Sequence, residues 1–248
     1  FLEKRKRVLD FSDAGTGKTP VHITDFAQRR RKKRANHGCL LVIAPKSLLK
    51  SAWADDFKKF APDMKVSIAW AENREEAFAA EADVYITNYA GASWLAKKPK
   101  KFFDKFDQLV LDEGTAVKHR TSQCSRAIKK IAQYFEWRRL LTGTPTSNGI
   151  CDIWHQVFIV DDGQRLGKSF FKFRAAACVP TQVGRNADAI QWEDREGIED
   201  VVAHLISDIT IRHKFEDCVD IPENHKYAMV YPLSKKARAA YDDMLNHQ

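Results

Sequence analysis

Apolar residues fall in short runs punctuated by turn formers: Val8 to Phe11, Cys39 to Ala44, Val66 to Ala69, Asp83 to Thr87, Leu109 to Leu111 and Arg139 to Thr142. Runs of this length, bounded by Gly, Pro, Asn and Asp, predict buried strands. Between them Lys18 to Gln28, Ser47 to Phe60, Arg74 to Ala80 and Ser122 to Tyr134 carry helical spacing. Alternating strands and helices imply an α/β fold, a parallel sheet flanked by helices. Ligands of such sheets bind beyond the carboxyl ends of the strands, so the polar residues after each run hold the candidate chemistry. After Gly149 the pattern changes. A helical stretch, Ile150 to Val160, leads into the loop D-D-G-Q-R, aromatic Phe170 to Phe173, polar Gln182 to Asp194 and a helix near Ile198 to Ser207. A boundary near Val160 is expected, separating an α/β lobe, 1–160, from a helical and loop extension, 161–248.

Composition alters this picture little. The 248 residues are 44% hydrophobic and 30% charged, an ordinary mixture that excludes a disordered or fibrous chain. Lys and Arg outnumber Asp and Glu by 41 to 33, for a net charge of +8, which favours a polyanionic partner without proving one. The run R-R-R-K-K-R, Arg29 to Arg34, reads as a solvated loop or as a DNA-contacting one. Five scattered cysteines, Cys39, Cys124, Cys151, Cys178 and Cys218, form no C-x-x-C pair. They predict reduced, packed thiols in an intracellular protein. No apolar run approaches the ~20 residues that cross a bilayer, so no membrane partner is expected. The opening F-L-E-K-R-K-R has neither an initiator Met nor a signal-peptide core, and the chain is expected to be a piece of a longer one.

The segment D-A-G-T-G-K-T, Asp13 to Thr19, follows an apolar strand and opens a helix, the setting a phosphate-binding loop requires. Asp13, Ala14, Gly15, Thr16, Gly17, Lys18 and Thr19 are the candidate nucleotide-binding residues. Gly15 and Gly17 let backbone N–H groups turn toward phosphate oxygens at the positive end of the helix. Lys18 would reach the β- and γ-phosphates, and the Thr19 hydroxyl would ligate Mg²⁺. Ser12 stands where the first glycine of G-x-x-x-x-G-K-T belongs. Asp112 and Glu113 end the run Q-L-V-L, suiting Asp112 to hold Mg²⁺ and Glu113 to activate the attacking water as catalytic base. Thr142, Gly143 and Thr144 end a further strand and could couple the γ-phosphate to the rest of the molecule.

These elements, in this order, resemble the helicase superfamily 2, and in detail its Swi/Snf branch of helicase-like DNA translocases. D-A-G-T-G-K-T looks like motif I; A-P-K-S-L-L-K-S-A-W, Ala44 to Trp53, is similar to motif Ia; I-T-N-Y, Ile86 to Tyr89, is similar to motif Ib. L-D-E-G-T-A-V-K, Leu111 to Lys118, resembles motif II, with Gly114 and Thr115 replacing the usual alanine and histidine. L-T-G-T-P-T-S-N, Leu141 to Asn148, resembles motif III, and D-I-W, F-F-K-F and I-R-H-K-F-E-D-C resemble segments leading toward a second lobe.

The resemblance implies a RecA-like P-loop lobe that binds ATP with Mg²⁺ in a motor translocating on double-stranded DNA. Lys46, Ser47, Lys50, Thr87 and Asn88 would touch the DNA backbone, and Trp53 would pack in the core. It further implies that a second RecA-like lobe completes the site, so that this piece alone hydrolyses little ATP. A bacterial or phage source, and hence the cytoplasm, is expected. The competing readings are a strand-separating helicase and a nucleotide-dependent DNA-binding or scaffolding module.

Overall fold

The computed structural model describes residues 1–32, 38–182, 190–218, 227 and 229–246. In chain order the elements are β1 (Arg7–Asp10), α1 (Lys18–Lys32), β2 (Cys39–Ala44), α2 (Asp55–Phe60), β3 (Val66–Ala69), α3 (Arg74–Ala79) and β4 (Val84–Asn88). There follow α4 (Ala92–Leu95), α5 (Lys100–Phe103), β5 (Phe106–Asp112), α6 (Gln123–Ala132), β6 (Trp137–Leu141) and α7 (Cys151–Asp161). Next come α8 (Phe170–Ala177), β7 (Cys178–Gln182), β8 (Ile190–Asp194), α9 (Ile198–Ile206), β9 (Thr210–Ile211), α10 (Phe215–Cys218) and α11 (Lys235–Asn246). A π-helical stretch, Leu49–Ala54, leads directly into α2.

Seven strands form one parallel sheet in the order β3-β4-β2-β5-β6-β1-β9, flanked on both faces by helices. The apolar runs of the sequence are its strands because a parallel sheet is covered on both sides and needs no polar face. One face packs the β2 and β4 residues Leu40, Val42 and Ile86 against Ile23 and Phe26 of α1 and against Trp53 and Phe57. The other packs Leu9, Leu41, Leu109 and Leu140 against Ile128, Ile131, Val157 and an aromatic group around Phe78, Phe103 and Phe106. Strands β7 and β8 form a separate antiparallel pair.

The compact unit runs Phe1–Cys218, so the change of pattern near Val160 lies inside it. Two residues after that change, Thr210 and Ile211, pair with Leu9 and Asp10 as the seventh strand. The unit Val219–Gln248 contains α11. Among the described residues no helix is long and apolar enough to cross a membrane.

The basic run is spent on the fold. Arg29 is buried beside Asp25, while Arg30, Arg31 and Lys32 pair with Asp83, Asp63 and Glu3. Its last two residues, 33 and 34, and the part of the polar stretch at 183–189 lie outside the described residues.

Candidate functional site

The carboxyl ends of β1, β5 and β6, adjacent in the sheet, bring motifs I, II and III together. In the first loop Gly15 and Gly17 both adopt φ +82, a left-handed conformation that disfavours any side chain. The Lys18 ammonium folds back to donate to the carbonyl oxygens of Ser12 at 2.7 Å and Asp13 at 2.9 Å. Thr19 is half-buried in the first turn of α1, and Ala14 is exposed at the tip of the loop. The Thr16 hydroxyl donates to the Asp13 carbonyl at 2.8 Å.

Two residues of this loop serve the scaffold. The Ser12 hydroxyl accepts from the His213 N–H at 3.1 Å, and the Asp13 carboxylate accepts from the Phe215 N–H at 3.0 Å. A glycine at position 12 could not make the first bond. Beneath the loop, the buried Asp10 carboxylate accepts from Ser12 N–H at 3.1 Å and lies 3.0 Å from His22 Nε2. Burial pushes Asp10 up, but His22 and the Ser12 hydrogen bonds outweigh it and hold the carboxyl below its usual range.

Asp112 is the convergence point. Its Oδ2 accepts from the indole N–H of Trp53 at 2.8 Å, its Oδ1 from the Glu113 N–H at 3.0 Å, and its carbonyl from the Tyr89 hydroxyl at 2.7 Å. Trp53 therefore packs in the core, fully buried, while also gripping the acid. Burial raises Asp112 above the usual carboxylate range against the opposing effect of Trp53, Glu113 N–H and Lys18. Glu113 is raised by burial and by the Asp112 charge, with Lys18 opposing. Its backbone sits at φ 52, a left-handed conformation uncommon outside glycine. Two carboxyls held up, with a lysine charge felt by both, suit a site that takes a cation together with an anion.

The glycine after this pair also has a reason. A Cβ on Gly114 would lie 2.3 Å from Leu140 Cδ2 and 2.5 Å from its Cγ, in the buried core. Gly114→Ala is expected to destabilise the fold by about 1–3 kcal/mol through overpacking, read as a lower urea midpoint with an unchanged slope.

Motif III abuts the phosphate loop. Thr142 is buried, its N–H donates to the Asp10 carbonyl at 2.9 Å, and its hydroxyl accepts from the Thr144 N–H at 3.2 Å. A Cβ on Gly143 would stand 3.5 Å from Ala14 N and Ser12 O, so the two loops pack backbone to backbone. Lys118 of motif II donates to Ser147 at 2.8 Å and Asp152 at 2.9 Å, tying motif II to the exit of motif III.

Of the residues expected on the DNA-facing edge, Lys46, Ser47 and Lys50 are exposed. Thr87 is not: it is fully buried, and its hydroxyl donates to the Ala69 carbonyl at 2.9 Å. Its place in β4 turns it into the sheet, and it drops out of that set. The half-buried Asn88 accepts from the Gly91 N–H at 3.2 Å as the cap of the following turn. Sequence reasoning missed Tyr89, His22 and His213 as supports of the site. Tyr89 lies in motif Ib and His213 in the segment I-R-H-K-F-E-D-C, while His22 stands in neither.

Among the described residues no cluster of three or more His, Cys, Asp or Glu could hold a metal ion alone.

A family model described as SNF2-related domain matches residues 8–248. Protein p41 of Acyrthosiphon pisum secondary endosymbiont phage 1 is 30% identical over 96% of this chain and 54% of its own length. The ATP-dependent helicase FUN30 of Saccharomyces cerevisiae is 34% identical over 93% of this chain and 21% of its own. The chain thus spans little more than half of the one and about a fifth of the other. In fold it is similar to the Sulfolobus solfataricus SWI2/SNF2 ATPase core solved in complex with dsDNA, with a TM-score of 0.64, 24% identity, and coverage of 84% of this chain and 40% of that one.

Proposed function

The chain belongs to the SNF2-related family, and on that premise we propose that it is the ATP-binding lobe of a motor that translocates on double-stranded DNA. The observation that carries this reading is the double grip on Asp112 by Trp53 of motif Ia and Tyr89 of motif Ib. Motif Ia also exposes Lys46, Ser47 and Lys50, so a duplex pressing on it acts on the same segment that holds the acid of the nucleotide site. In this reading Lys18 exchanges its two loop carbonyls for the β- and γ-phosphates. Thr19 and Asp112 would hold Mg²⁺, which would neutralise phosphate charge. Glu113 takes the proton of the attacking water, and Thr142 to Thr144, packed on the phosphate loop, pass its displacement to α7. A second lobe closing over the exposed loop completes the cleft, and this lobe alone binds nucleotide with little turnover.

The test is ATP turnover with and without duplex DNA in the protein carrying both lobes. Stimulation by duplex is expected; its absence sinks the motor, and efficient separation of annealed strands would favour a helicase instead. Lys46→Glu with Lys50→Glu is expected to weaken duplex binding uniformly across sequences. It should also flatten the slope of log affinity against log salt by about 2, roughly 0.9 per lost phosphate contact. A slope equal to that of the parent would remove both lysines from the interface.

A further inference from the structure

Beyond the nucleotide cleft, the loop after motif II meets the extension in a ladder of rings and guanidinium groups. Arg120 Cζ lies 4.8 Å from the ring centres of both Phe170 and Phe171. Arg174, one turn along α8, lies 5.6 and 5.5 Å from the same rings and 4.1 Å over Trp192 of β8. Phe170 is anchored edge-on to Trp154 at 5.6 Å, whereas Phe171 turns outward and is 59% exposed. An exposed phenylalanine between two arginines does nothing for the core.

The charges on this face are unspent. Among the described residues Arg120, Lys172 and Arg174 form no ion pair, and Arg174 Nε is buried without a partner. The nearby acids do not answer them. Asp194 is taken by the Ile150 N–H at 2.7 Å and lies 3.5 Å from Cys178 Sγ, and Glu193, next to Trp192, points to the opposite face of the hairpin by strand alternation. The Arg120 and Arg174 guanidinium groups lie within 4.1–5.6 Å of these ring centres, and a guanidinium that carries no ion pair is suited to take a phosphate. The exposed part of the Phe171 ring beside them offers a contact surface that an unpaired base can use and a base-paired duplex cannot.

We propose that Arg120, Phe170, Phe171, Lys172, Arg174 and Trp192 form a binding surface for single-stranded nucleic acid, with phosphates on the cations and a base against Phe171. This surface does not depend on the ATPase reading and is distinct from the motif Ia edge.

The experiment is fluorescence anisotropy of a labelled oligo-dT of roughly a dozen nucleotides, without nucleotide, against the parent, Phe171→Ala and Arg120→Gln. The exposed position of Phe171 makes its truncation tolerable to the fold. Phe171→Ala is expected to weaken oligo-dT binding about tenfold, and Arg120→Gln to weaken it as well, with duplex affinity unchanged in both. The proposal is overturned if both variants bind oligo-dT like the parent, or if duplex binding falls in parallel. Poly-glutamate binding with the same affinity and the same sensitivity to both variants would overturn it in favour of an acidic peptide. None of these outcomes bears on duplex-stimulated ATP turnover, so the two readings fail separately.

Discussion

Glu113→Gln is expected to lower DNA-stimulated ATP turnover by about 10²- to 10⁴-fold, the usual contribution of a positioned general base, while nucleotide affinity changes little. The amide keeps the shape of the side chain, and the left-handed backbone at φ 52 and the N–H bond to Asp112 do not depend on the charge. What is lost is the ability to take a proton. Burial and the Asp112 charge hold the Glu113 carboxyl above its usual range, and the active form is the ionised one. Turnover should therefore fall as pH drops, with the acid limb of kcat/KM above the ordinary glutamate value of about 4.3. Stability should move the other way. A carboxyl whose pKa is raised on folding contributes stability below its unfolded value and loses it as pH rises through the folded one. The glutamine variant escapes that loss, so its denaturation midpoint at neutral pH should equal or exceed that of the parent. Retained turnover would remove Glu113 from the chemistry, and a lowered midpoint would show that the carboxylate serves packing instead.

The strands and the two chemical loops were legible because their signals are local. An apolar run such as Cys39 to Ala44 has nowhere to go but a doubly covered strand, and a glycine-rich turn between a strand and Lys18 reads from the chain alone. What escaped is set by distant partners. Strand β9 is two residues long and exists because Leu9 and Asp10 offer an open sheet edge. The polar stretch around Trp192 shows little apolar alternation, yet Ile190 to Asp194 pairs with Cys178 to Gln182. The resemblance of I-T-N-Y to motif Ib puts Thr87 among the DNA contacts, but its register in β4 aims it at Ala69. Trp53 was expected in the core and is there, but nothing local says that its indole N–H reaches an acid 59 residues away. The basic run deceived most at its first member, since Arg29 is among the buried charges of the sheet face.

That buried charge leads to the largest expected loss of stability. Asp25 on α1 is the single anion between two guanidinium groups: its Oδ2 accepts from Arg29 Nε at 3.3 Å and from Arg139 Nη2 at 3.1 Å. Arg139 is fully buried, also donates to the carbonyls of Arg5 at 2.7 Å and Leu2 at 3.1 Å, and is drawn by burial down to about 10. Arg29 reaches Gln108 and lies 4.0 Å over the Trp137 ring. Asp25→Ala leaves two cations facing each other in the interior without their counter-charge, and a buried pair broken from one side costs about 3–5 kcal/mol. Chemical denaturation should show that loss, with nucleotide binding retained where the variant remains folded. The size of the loss does not mean that the cluster itself stabilises the fold, because desolvating three charges consumes much of their mutual attraction. Replacing all three together, Asp25→Leu with Arg29→Met and Arg139→Met, separates the two ideas. If the charges merely balance one another, the triple variant should be more stable than Asp25→Ala alone and approach the parent. If it is no better than the single variant, the bonds from Arg139 to the carbonyls of Leu2 and Arg5 are what hold the N-terminal segment against the sheet.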